Sequence, residues 1–153
     1  MRQSKIAAFV FAAALCLGLT GAAHADARHF QISQSHFESM AAEAAALLGQ
    51  LDTLDQKSIC NYYAAIAATY AVRAHALAQL ATVADKVRTA EDKSIVRAAM
   101  AETQTYVTKP IESDLKVLDA LSSVSNNSRL KDLSLHITNE LRVFAHNADQ
   151  ASQ

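Results

Sequence analysis

The apolar residues of this chain fall into helix-length runs separated by short polar stretches, and one run organises the others. Residues 59–84, ICNYYAAIAATYAVRAHALAQLATVA, are rich in alanine and free of glycine and proline. Arg73 and His75 are the only side chains there that can carry a charge near neutral pH. The main stripe is Ile59, Tyr63, Ile66, Tyr70, Leu77, Leu80, Ala84 and Val87, with Arg73 at the one missing position. A second stripe runs through Tyr62, Ala65, Thr69, Val72, Ala76 and Val83. Two stripes on one helix predict a central bundle member that touches neighbours on two sides.

The flanking runs predict what covers it. Ser35 and Glu38 fit a capping box, followed at helical spacing by Phe37, Met40, Ala41, Ala44, Leu47, Leu48 and Leu51, with Gly49 near the stop. Thr53 and Gln56 fit a second box that opens the long helix. Thr89, with Glu91 and Asp92 in the first turn, opens a third helix carrying Ile95, Val96, Ala99, Met100, Thr103, Tyr106 and Val107. Pro110 interrupts it. The spacing continues through Ile111, Leu115, Leu118 and Leu121, so a kink is expected rather than a stop. After the loop Ser122–Ser128, capped at Asn127 or Ser128, a last helix carries Leu130, Leu133, Ile137, Leu141, Phe144 and Ala148. No alternating run reads as strand. The expected fold is all-α: an up-down-up-down four-helix bundle over 35–150 with a long central hairpin and a third helix kinked at Pro110.

Lengths then matter. At about 1.5 Å per residue, the first helix spans roughly 25 Å and the central one roughly 50 Å. The far half of the hairpin is therefore expected to lack cover. Its residues Val72, Arg73, Leu77, Leu80, Val83, Ile95, Val96 and Met100 form the candidate partner-binding patch, for another protein or a homodimer.

The opening residues read as an address. Two positive charges in MRQSK, an apolar run from Ile6 to Leu19 and the Ala23-His24-Ala25 pattern predict a signal peptide over 1–25, cut after Ala25. The run is too short to span a membrane. An exported, periplasmic chain with a flexible lead-in over 26–34 follows. Removing Arg2 and Lys5 from the 14 basic residues leaves 12 against 15 acidic ones, a net charge of −3. That balance offers nothing to a phosphate backbone, so no nucleic-acid partner is expected. Cys60 is then the only cysteine, and the expected role is a small buried hydrophobe.

Candidate chemistry is sparse. Beyond residue 25 Gly49 is the only glycine, which excludes phosphate-cradling and dinucleotide loops. No nucleophile with a base is readable, so the chain is expected not to be an enzyme. The alternative is haem or copper. In an up-down-up-down bundle, His36 and Met40 near the start of the first helix approach His146 near the end of the last. This arrangement resembles the b-type bundle cytochromes, in which a Met from the first helix and a His from the last bind haem iron. His29, His36 and Met40 also offer a soft copper set. Helical phase puts Met40 on its core stripe but turns His146 about 180° from its own. Arg73 lies beside the main stripe, either with its stem along apolar surface or as a charged anchor in the patch.

Overall fold

The computed structural model describes residues 27–151, so the predicted signal peptide lies outside the described residues. Among them the structure is all-α, in five segments: α1 (27–48), α2 (Leu54–Lys86), α3 (Ala90–Thr108), α4 (Ile111–Val124) and α5 (Ser128–Ala151). Their starts follow local chemistry. The Thr53 hydroxyl accepts from Gln56 N at 3.2 Å, and the Thr89 hydroxyl accepts from Asp92 N at 3.0 Å. Asn127 Oδ1 accepts from Leu130 N at 3.3 Å, which decides the cap of α5 in favour of Asn127.

Contacts between helices fix the topology. Along α2, the Cys60 thiol donates to the Ala44 carbonyl, Tyr70 packs on Phe37 and His75 meets Gln34, so α1 runs antiparallel to α2. Along α5, Arg129 donates to Gln50, Glu140 meets His36 and Phe144 packs on Phe30, so α1 runs antiparallel to α5 as well. Ser134 of α5 donates to the Leu118 carbonyl of α4, and Gln104 of α3 reaches the Ala148 carbonyl of α5. The bundle is up-down-up-down, its third rod made of α3 and α4 in succession.

Two expectations are corrected here. The residues expected as a flexible lead-in are helical from 27 onward, and the Ser35–Glu38 box lies inside α1 rather than at its start. The cause is burial. Ala27, Phe30 and Ser33 continue the 3-4 spacing of Phe37, Met40, Ala44 and Leu47, and Phe30 has no exposed surface. Its ring meets Phe144 edge-on, with centroids 6.0 Å apart. Burying one aromatic ring outweighs a local capping signal by a few-fold, about 3 kcal/mol or more against ~1 kcal/mol. Second, the expected kink at Pro110 is a break. α3 ends at Thr108, and Pro110 stands at the N-cap of α4 with its carbonyl accepting from Asp114 N at 2.9 Å. Proline has no N–H to return to the preceding turn.

Candidate protein-contact surface

The extra two turns of α1 change which side of the hairpin is covered. Gln34 sits level with His75, so α1 runs past Leu77 toward the hairpin tip instead of stopping short of it. Among the predicted patch residues, Leu77 (0 % exposed) and Met100 (7 %) are core, not surface; this corrects their assignment to a partner. Leu80 and Val96 are half-buried, as is Arg73. Val72 (70 % exposed), Val83 (44 %) and Ile95 (61 %) face out.

Helical phase explains the sorting. Tyr63, Tyr70, Ala74, Leu77 and Ala81 form the inward stripe of α2, while Val72 and Val83 lie about half a turn away. Ala65 and Thr69 are exposed with them. Of the second stripe of α2, expected to pack against a neighbour, these four are open, while Tyr62 packs on the core and Ala76 is half-buried. On α3 the inward positions are Met100, Gln104 and Val107. Tyr106, set beside Val107 on the apolar spacing of the third helix, is 75 % exposed. Because α2 and α3 are antiparallel through a short turn at 87–89, Val72 and Tyr106 stand at about the same height, and so do Val83 and Ile95. Half-buried Ala76, Leu80, Ala99 and Thr103 fill the ground between them. The result is a mostly neutral face over one side of the hairpin.

Arg73 stands at its edge. The guanidinium carbon lies 4.6 Å from the centroid of the Tyr70 ring, a cation–π contact. Tyr70 itself is buried, and its hydroxyl donates to Asp114 Oδ2 at 2.7 Å. Burial, followed by the bond and charge of Asp114, pushes the Tyr70 phenol well above its ordinary range. Arg73 is half-buried, and its Nη1 is buried without a hydrogen-bond partner.

The residues of the haem or copper alternative sit in different surroundings. Met40 is in the core. His36 is exposed and its Nδ1 lies 2.8 Å from Glu140 Oε2. His146 is exposed, six residues beyond Glu140 on α5 and so about 9 Å further along the axis. His29 is exposed in the first described turn. Among the described residues, no three or more His, Cys, Asp or Glu side chains come together as a metal site. Cys60 is buried, its thiol held at 3.1 Å from the Ala44 carbonyl, and burial raises its pKa.

Elsewhere the surface offers open grooves rather than a cleft. One between α4 and α5 is bordered by Glu112, Lys116, Asp119 and Arg142, charges of both signs, with Glu112 and Lys116 already paired at 2.8 Å. Among the described residues no helix is long and apolar enough to cross a membrane. No protein-family model matches the chain, and no curated protein or solved structure matches it.

Proposed function

We propose that the protein is an exported, periplasmic helical module that acts without catalysis, by contact with protein through the outer face of the α2–α3 hairpin. The observation that carries this reading is the exposure of Val72, Val83, Ile95 and Tyr106 on one side of two adjacent helices. Burying such side chains against a partner gains about 25 cal/mol per Å² of apolar surface, and leaving them in water forgoes it. The signal-peptide pattern of residues 1–25 supports export.

Two measurements test the two halves. For export, the N-terminal residue of the chain recovered from the periplasm should be Asp26; a chain beginning at Met1, or found only in the cytoplasm, contradicts it. For contact, Val83→Glu and Ile95→Glu should abolish binding to proteins recovered with the wild-type chain while leaving helical circular dichroism unchanged. Binding that survives both changes would place the contact elsewhere.

A further inference from the structure

The face just described carries charges as well as apolar groups, and their placement selects an occupant. Between Ser58 and Ala84 the only full charge on α2 is Arg73, with a buried nitrogen that has no partner. On α3, Glu102 is exposed between Ile95 and Tyr106, and no ion pair joins it to any described residue. Counted from the turn at 87–89, Arg73 and Glu102 lie at nearly the same height on neighbouring helices. Each chain therefore sets half-buried Arg73, over the Tyr70 ring, beside exposed Glu102 at mid-height of the face, with exposed Glu91 and Lys109 near its two ends on α3.

We infer that this face binds a second copy of the same chain, with a two-fold axis running along the hairpin between α2 and α3. Such an axis preserves height and exchanges sides. It lays α2 of one copy on α3 of the other, so that Arg73 meets Glu102 twice. The same operation sets Val72 against Tyr106 and Val83 against Ile95. The alternative axis, perpendicular to the helices, would set α2 on α2 and leave both charges unpaired. Small residues at the centre, Ala76, Ala99 and Thr103, let the helices approach closely.

Area agrees. From Ala65 to Val87 the face is about 33 Å long, and two helices give it a width of about 20 Å. The resulting area, on the order of 650 Å² per copy, approaches the ~800 Å² that each partner of a stable complex commonly buries. The expected dimer is reversible at micromolar concentration. This inference rests on the proposed contact role and names its partner.

Sedimentation equilibrium of the exported chain, from low to high micromolar, is the test. The wild type should move from monomer toward dimer. Tyr106→Glu and Glu102→Arg should each raise the dissociation constant by about tenfold or more, with helical content and melting temperature unchanged because both side chains are exposed. Arg73→Glu combined with Glu102→Arg should restore much of what Glu102→Arg alone removes. A wild-type chain that stays monomeric throughout, or a dimer indifferent to Tyr106→Glu and Glu102→Arg, overturns the inference. If the wild type is monomeric while Val83→Glu still abolishes capture of a different protein, self-association fails and the contact role stands. If neither is seen, both fail.

Discussion

At the scale of single residues, the bundle centre concentrates groups whose protons are hard to remove. Tyr70 is pushed up from its ordinary value of 10.0 by burial and by Asp114, while burial chiefly raises Tyr62 and Tyr63. Cys60 is raised from 9.0 by the same cause. All four are neutral when protonated, and the folded chain holds those protons more tightly than the unfolded chain does. Their contribution is therefore fully present below the unfolded pKa values and is lost as pH rises past 9.0 and then 10.0. Denaturant unfolding should show stability flat near neutrality and falling on the alkaline side. Tyr70→Phe should shallow that fall, at a cost near neutral pH of about 1 kcal/mol for the lost bond to Asp114. A steeper alkaline fall in Tyr70→Phe would contradict this assignment. Cys60 is expected to react with a thiol reagent only as fast as the chain opens. Rapid labelling of the native protein would show that it is not sealed beneath Ala44.

At the scale of elements, three of the four helix starts after the first follow a capping side chain that the sequence displays openly, Thr53, Thr89 and Asn127, and the start of α4 follows Pro110. The first helix is where the sequence misled. Ser35 and Glu38 are a valid local cap, but Phe30 stands seven residues before Phe37, two turns along the same face. The polar residues around Phe30 hid that period. Phe30→Ala measures the correction directly: removing a fully buried ring should cost about 3–5 kcal/mol, read from the denaturant midpoint. A cost below about 1 kcal/mol would mean that these turns do not pack. Pro110 was legible as an interruption, but its consequence was not. A missing N–H and a ring clash dictate that hydrogen bonding stops, not whether the chain bends or starts a new helix.

At the scale of the molecule, the all-α bundle and its up-down order were readable from periodicity and loop length alone. The candidate surface was readable only in part. A length mismatch pointed to the hairpin, yet α1 (27–48) is about 33 Å long and the 24-residue α5 about 36 Å, so the mismatch is smaller than it looked. Leu77 and Met100 went to the core as a result. What remains exposed comes from phase instead: Val72 and Val83 sit on the side of α2 away from α1 and α5. Tyr106 was missed because its neighbour Val107 satisfies the core stripe equally well, and a 3.6-residue period cannot choose between adjacent positions without a partner to pack on.

The account turns on that outer face meeting its own counterpart, and disulfide trapping tests the juxtaposition most directly. A chain carrying Val72→Cys together with Tyr106→Cys, oxidised while folded, should yield covalent dimers, with buried Cys60 a bystander. A matched chain with Leu135→Cys and Val143→Cys on the exposed side of α5 should stay largely monomeric. Equal trapping in the two chains, or none in the first, would contradict the proposed interface.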